Sequence, residues 1–370
     1  MTPSPRSSKP QRLISRRVLL LIAGFTTANL THRYARRSLD HRDLAQKWTS
    51  IVYTLRQRLA AKLIDQQDDA LQSLEAPAPP VRHHPTPPAP YAFPGLTLPK
   101  IPYLNAAPGG DLVRYTTTQL LGVPFHLITI DLNAPETLLT IGLANNAPFA
   151  NSSRGVYGDE PFTSMVDRAY AAAVMNGTFF GKDDYKRVLG NMVAGGRVLK
   201  YSPWENYGTT LGIKANRRLE MVTARSDGTP RWHDHWFSLT CGPRLVHNGE
   251  VALAPKSEGF RDPHVLATAY RCAIGYPKSG DQLLLVAFAT PLSLEETAKV
   301  MRAIGCYQAM NLDGGSSQGL AYRSEIVIQP GRNLTNAIVV YDAQRPAPRH
   351  LRQAQQEFEL GARPDFSAFR

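Results

Sequence analysis

The stretch AMNLDGGSSQG, Ala309 to Gly319, ends an apolar run with an acid, two glycines and two serines. A carboxylate at a strand end is a candidate catalytic group. Gly314 and Gly315 after Asp313 let the backbone turn with positive φ, come close to a ligand and aim amides at an anion. Ser316 and Ser317 add hydroxyls. No Gly-Lys-Ser/Thr follows, so this is not a nucleotide-binding P-loop. On glycine content alone a plain hairpin turn explains the run equally well.

Two further segments carry polar groups at strand ends. In VMNGTFFG, Asn176 and Gly177 follow an apolar strand, although an Asn-Gly pair between alternating residues is also the pattern of a type I′ turn. In AYRCAIG, Arg271 heads an apolar strand, where a guanidinium is costly to bury unless it meets an acid or a phosphate. Pairing with a core carboxylate is the structural alternative for Arg271.

The elements that must position these residues follow from periodicity. GVPFHLITIDL alternates as a strand, with LLTIGLA read as its neighbour, and TSMVDRAYA reads as a short helix leading into the strand AAVMN. MVAGGRVLKY, LGIKANRRLEMV and RLVHNGEVAL read as hairpins, each with Gly or Asn at the turn. SLEETAKVMRAIG reads as a helix with Ser293 and Glu296 as a capping box and Gly305 at its stop, followed by the strand CYQAMNL. Many hairpins and few helices predict an α+β fold with mixed, largely antiparallel sheets, preceded by a helical stalk and a Pro-rich linker.

The chain divides accordingly. Residues 1–35 contain SRRVLLLIAGFTTANL, a basic lead before about 14 apolar residues, which suits a signal or membrane-anchor segment. Arg16 and Arg17 give it a twin-arginine-like start, and no A-x-A cleavage site follows. In residues 36–75, Leu44, Trp48, Ile51, Val52, Leu55, Leu59 and Leu63 recur every three or four positions, the pattern of an amphipathic helix that would serve equally as a stalk, a coiled coil or a membrane-surface helix. Residues 76–102 form the Pro-rich linker, with His83 and His84 solvated within it, residues 103–345 the globular domain, and residues 346–370 a polar C-terminal tail.

The formal charge of +12 is unevenly distributed. The first 100 residues carry 15 Lys and Arg against 6 Asp and Glu, and the remaining 270 carry 27 against 24. This argues for a membrane contact through the N-terminal segment and against nucleic acid as a partner. Export is expected, to a periplasm, a cell envelope or an extracellular face. Cys241, Cys272 and Cys306 lack C-x-x-C spacing, so no zinc site is signalled, and one disulfide among them is left open.

In this order, NGTFF, GNMVAGGRV, CGPRLVHNGEV, RCAIG, LSLEETAKVM, NLDGGSSQ and RNLTNAIVVY resemble a phosphodiester glycosidase domain, from roughly Pro102 to Tyr341. The family often has a second glycine where this chain has Thr178 and a threonine at Cys272. Many members have an Asp-Gly pair where AFATP stands here.

The resemblance implies a hydrolase that separates a sugar from a phosphodiester, with a glycan or sugar-phosphate as substrate. On that basis Arg271 would hold the phosphate as a fork of donors, and Asp313 would face the anomeric carbon or its attacking water. Amides around Gly314 and Gly315, with Ser316, would position phosphate or hydroxyls. Asn176 would bond the sugar, Gly177 would permit its approach, and Asn191 would act similarly. Asp159, Glu160, Asp183 and Asp184 read as solvated loop acids. Asp183 and Asp184 could instead help hold a structural divalent cation such as calcium. No other cofactor is identified, and His264 reads as a structural histidine. The competing reading is a non-catalytic, surface-anchored polysaccharide-binding module. A membrane-tethered nuclease or phosphatase is disfavoured because no His/Asp set for two metals is present.

Overall fold

The computed structural model describes residues 111–370 apart from 151–157, 183–184, 204 and 370. These residues belong to the second of two compact units, Pro94–Arg370. The signal or anchor segment, the stalk, the linker and the Asp183–Asp184 pair lie outside the described residues.

The first part of the domain runs through β1 (Val113–Leu120), β2 (Val123–Asp131), β3 (Leu138–Leu143), helix α1 (Phe162–Ala169) and β4 (Ala173–Asn176). A central block of β5 (Met192–Ala194), β6 (Arg197–Lys200), β7 (Thr209–Lys214), β8 (Leu219–Thr223) and β9 (His235–Cys241) follows. Then come β10 (Arg244–His247), β11 (Glu250–Val251), α2 (Pro263–Leu266), β12 (Cys272–Tyr276), β13 (Gln282–Phe288), α3 (Leu294–Ile304) and β14 (Gln308–Asn311). The chain closes with β15 (Leu320–Tyr322), β16 (Glu325–Ile328), β17 (Asn336–Tyr341) and α4 (Arg349–Glu359).

These strands form three antiparallel sheets, so the fold is α+β with few helices. The largest has the order β1-β2-β13-β12-β14-β10-β11, and the others are β16-β15-β4-β17-β3 and β6-β5-β9-β7-β8. The central strands of the large sheet are buried on both faces, and the period-two alternation sorts their side chains. Leu283, Leu285 and Ala287 of β13, with Ile128 and Ile130 of β2, join the main core shared with the other two sheets. Their neighbours Leu284, Val286, Phe288, Phe125 and Leu127 turn the other way, onto a second core under α3 that includes Leu294, Ala298, Met301 and Ile304.

Local turn and cap chemistry acts as expected. The β5–β6 hairpin turns through Gly195 and Gly196 with φ of +61° and +65°, and Asn216 and Asn248 take left-handed φ in the β7–β8 and β10–β11 turns. Ser293 caps α3, its hydroxyl accepting from the Glu296 amide at 3.2 Å while the Glu296 carboxylate accepts from the Ser293 amide at 2.8 Å. Gly305 ends that helix in the left-handed region.

Two expectations about packing need correction. β3 is not the neighbour of β2: β2 lies between β1 and β13, whereas β3 pairs with β17 in a different sheet. A local alternation gives a strand but not its partner. The segment 346–370 contains α4, whose Leu351 and Phe358, seven residues apart on one face, are buried. Phe358 meets Trp236 edge-on at 5.8 Å, and Phe366 meets Tyr201 at 4.8 Å. Cys241, Cys272 and Cys306 are buried free thiols, so the disulfide left open by the sequence does not form.

Candidate functional site

The loop from Asp313 to Gln318 leaves the end of β14 and crosses the ends of β4 and β12. Asp313 is held by its own backbone first: its amide donates to the Gly177 carbonyl at 3.1 Å, and its carbonyl accepts from the Asn176 side-chain amide at 2.6 Å. The other end of that side chain, Asn176 Oδ1, accepts from the Gly319 amide at 3.0 Å and from the Cys272 thiol at 3.2 Å. Asn176 is 1% exposed, so the residue expected to bond a sugar instead ties β4 to both ends of the Asp313 loop.

The glycines have distinct reasons. Gly177 is not in a type I′ turn, since its φ is not positive. It is a glycine because a Cβ there would stand 2.1 Å from Asn336 Oδ1. A Cβ on Gly314 would stand 2.4 Å from the Tyr270 carbonyl oxygen, whereas Gly315 takes φ +57° in open space. The amides expected to face an anion are engaged within the protein: Gly314 donates to Asp313 Oδ1 at 2.9 Å and Gly315 to the Tyr270 carbonyl at 2.8 Å. Ser316 is the exposed residue of the loop.

The guanidinium that meets Asp313 belongs to Arg332. Its Nη2 donates to Asp313 Oδ2 at 3.1 Å, its Nε donates to Ser317 Oγ at 2.6 Å, and its plane lies 4.1 Å from the Phe180 ring centre. The Arg332 side chain is 32% exposed against 10% for Asp313, so the pair has a buried acid and a cation that still reaches solvent. Burial raises the Asp313 carboxyl above its usual value, while the Ser317 hydroxyl, the Arg332 charge and the Gly314 amide pull the other way. Cys241 and Cys272 lie close enough for the Asp313 charge to add to the burial that raises both thiols, Cys241 to about 12.

Arg271 is placed differently from the expectation. Only its backbone adjoins the loop, its carbonyl accepting from Gln318 Nε2 at 3.1 Å. Its guanidinium donates to the carbonyls of Leu292 at 3.1 Å, Val265 at 3.0 Å and Ala267. With 3% exposure it clamps the segment after α2 instead of opening to a phosphate. Asn191 is likewise engaged, its side-chain amide bonding the Ser202 carbonyl at 3.1 Å and its Oδ1 the Ser202 amide at 2.8 Å.

Of the loop acids read as solvated, Glu160 is buried and paired with Arg168. Asp159 accepts from the Asn333 side chain at 3.4 Å, beside Arg332. His264 is exposed on α2. Thr178, where the family often has a glycine, uses its hydroxyl on the Thr240 carbonyl at 2.7 Å. No group of three or more His, Cys, Asp or Glu suited to a metal occurs among the described residues. Among them, too, no helix is long and apolar enough to cross a membrane.

Sequence reasoning missed Arg332 and Gln318 as side-chain partners of the loop, and read Ser317 only as a further hydroxyl. The available signal was weaker than for Arg271, which directly precedes β12, since Arg332 stands four residues ahead of β17.

Residues 169–341 match the family model for phosphodiester glycosidase. No curated protein matches the sequence. Among solved structures, a hypothetical protein from Synechocystis is 18% identical with a TM-score of 0.48, the alignment covering 62% of each chain. The zebrafish N-acetylglucosamine-1-phosphodiester alpha-N-acetylglucosaminidase catalytic domain, auto-inhibited by its pro-peptide, is 14% identical with a TM-score of 0.48, covering 63% of this chain and 83% of that one. A candidate exported protein from Burkholderia pseudomallei is 14% identical with a TM-score of 0.43, covering 60% of this chain and 74% of that one. The chain therefore spans less than two thirds of the Synechocystis protein. Over residues 169–341 the chain is thus similar to the phosphodiester glycosidase family.

Proposed function

We propose that the protein is a hydrolase that cleaves a sugar-1-phosphodiester, with Asp313 as the catalytic carboxylate and Arg332, not Arg271, as the cation facing the phosphate. The observation that carries this reading is the Arg332 guanidinium, fixed on one side by Asp313 and Ser317 and 32% exposed on the other. A planar fork held in this way can offer its remaining N–H groups to a phosphate oxygen without reorganising.

The chemistry follows from the leaving group. When the bond from the anomeric carbon to the phosphate oxygen breaks, that oxygen keeps the electron pair, and Arg332 stabilises the charge. Water adds its oxygen to the anomeric carbon and gives a proton to Asp313, whose burial makes it a stronger base than a solvated carboxylate. The Ser316 hydroxyl, on the exposed corner of the loop, is placed to bond phosphate or sugar. The sequence SRRVLLLIAGF near the N-terminus supports export of the enzyme.

The test is hydrolysis of a panel of sugar-1-phosphodiesters. Wild type should release free sugar from at least one member, and Asp313→Asn should lower that rate by about 100-fold or more. Wild-type turnover by Asp313→Asn removes the carboxylate from the scheme.

A further inference from the structure

A large groove opens at the far end of the same strands. Asp313 follows the end of β14 that pairs with the start of β12, and Leu312 bonds the Cys272 carbonyl there at 2.8 Å. Tyr276 and Gln308 form the opposite end of that pairing, about 13 Å away along β12. Around them the β2–β3 connection, the β7–β8 turn, the β12–β13 turn and α4 enclose a cavity of about 1350 Å³. That exceeds the usual range for a site holding one small molecule, roughly 300–1,000 Å³.

The lining indicates what would fill it. Tyr276 is 7% exposed, yet its hydroxyl has no protein hydrogen-bond partner among the described residues. The side-chain amides of Asn133, Asn216 and Gln356, all exposed, and of the half-buried Gln355 line the groove. Each presents a donor beside an acceptor, the complement of a pair of adjacent sugar hydroxyls. Tyr307, half-buried, adds an aromatic wall with the Lys278 ammonium 5.8 Å from its ring centre.

Charge excludes other classes. Arg217, Arg218, Lys278 and Arg352 line the groove together with Glu136, Asp281 and Glu359, so the charges are of mixed sign and no single-sign field exists to hold a nucleic acid or another polyanion. The wall is also rigid: Arg217 donates to the carbonyls of Leu132 at 2.9 Å, Thr137 at 3.1 Å, Pro135 at 3.0 Å and Ala134, which fixes the β2–β3 connection before any ligand arrives.

We propose that this groove is a second, non-catalytic site that binds a polysaccharide chain, remote from Asp313. It does not depend on the reaction assigned to Asp313, and a glycan seated there would keep the domain on a polymer while the Asp313 loop acts elsewhere along it.

The experiment measures binding of the full chain to cellohexaose, chitohexaose and maltohexaose by calorimetry, and to an array of plant and bacterial polysaccharide fragments. Saturable binding to at least one glycan is expected, unchanged in Asp313→Asn. It should weaken at least about five-fold in Gln355→Ala/Gln356→Ala and about two- to five-fold in Tyr276→Phe, as expected for lost hydrogen bonds. The Gln pair lies on α4 and Tyr276→Phe keeps the buried ring, so a melting temperature near that of wild type in each variant confirms folding. Binding to no glycan, binding untouched in both groove variants, or binding lost in Asp313→Asn overturns the proposal.

Discussion

Arg332 and Asp313 form an ion pair of 3.1 Å in which the acid is buried and the guanidinium, 19 residues further along the chain, reaches solvent. The pair is held from three directions, since the same guanidinium also bonds Ser317 and lies over Phe180. A point charge on a flexible stem cannot reproduce that geometry. Arg332→Lys should therefore lower kcat/KM on a sugar-1-phosphodiester by about 10- to 100-fold, and Arg332→Ala by about 100- to 1,000-fold. Steady-state kinetics with a parallel thermal melt checks this. Near-wild-type turnover in Arg332→Ala would show that the cation has no part in the reaction.

Arg271 and Asn176 are expected to act through structure. Removing the Arg271 guanidinium leaves three carbonyls, that of Leu292 buried, without their donor, so Arg271→Ala should cost roughly 2–4 kcal/mol and loosen the segment around residues 263–270. Asn176→Ala should cost roughly 2–4 kcal/mol by freeing the Asp313 carbonyl and the Gly319 amide. Denaturant melts give the energies, and hydrogen exchange of residues 263–270 in Arg271→Ala locates the loosening. A variant that keeps its stability and raises only KM would restore a direct contact with substrate.

What could be read beforehand was local. The Asn248–Gly249 turn, the Gly195–Gly196 turn and the Ser293–Glu296 capping box depend on residues within a few positions of one another, and all are present. The segments that surround Asp313 were also legible, because the ordered landmarks NGTFF, RCAIG and NLDGGSSQ bear the family pattern. Which side chain meets which was not. The Asn176 amide finds its acceptor 137 residues away, and β3 pairs with β17 across most of the domain. Periodicity fixes a face, but a long-range partner depends on how the sheets stack. Arg271 directly precedes β12 and Arg332 stands four residues ahead of β17, and only the fold shows that the first clamps backbone carbonyls while the second meets Asp313.

The three glycines near the loop should respond to alanine in a fixed order. At Gly177 the new methyl would lie 2.1 Å from Asn336 Oδ1, and at Gly314 2.4 Å from the Tyr270 carbonyl oxygen, so both demand movement of buried groups. Gly315 has open space and only its φ of +57° to oppose a side chain, a cost of about 1–2 kcal/mol. Gly177→Ala and Gly314→Ala should each cost more than Gly315→Ala, by about 1–3 kcal/mol. Denaturant midpoints settle the order. Equal losses at all three positions would mean that the close approaches are not what selects glycine.

Stability should depend on pH through two acids, buried Glu258 and half-buried Glu220, whose carboxyls are shifted in opposite directions. Glu258, 3% exposed, is raised by burial to about 7, against the Arg244 amide and the Thr209 hydroxyl, which favour its charged form. The folded chain therefore holds this proton more tightly than the unfolded one, whose carboxyl titrates near 4.5. Its contribution is complete below about pH 4.5 and is lost as the pH rises to about 7, a cost of up to roughly 3 kcal/mol. For Glu220 burial also opposes ionisation, but the hydrogen bonds and charges of His235 and Lys214 outweigh it and lower the carboxyl to about 2. Its contribution is present above pH 4.5 and is lost as the pH falls toward 2. Between them, the melting temperature should peak near pH 4.5–5 and decline on both sides. Glu258→Gln should flatten the limb from pH 5 to 7, and Glu220→Gln the limb below 4.5. A Glu258→Gln protein whose melting temperature falls between pH 5 and 7 as steeply as that of wild type would assign that limb to other groups.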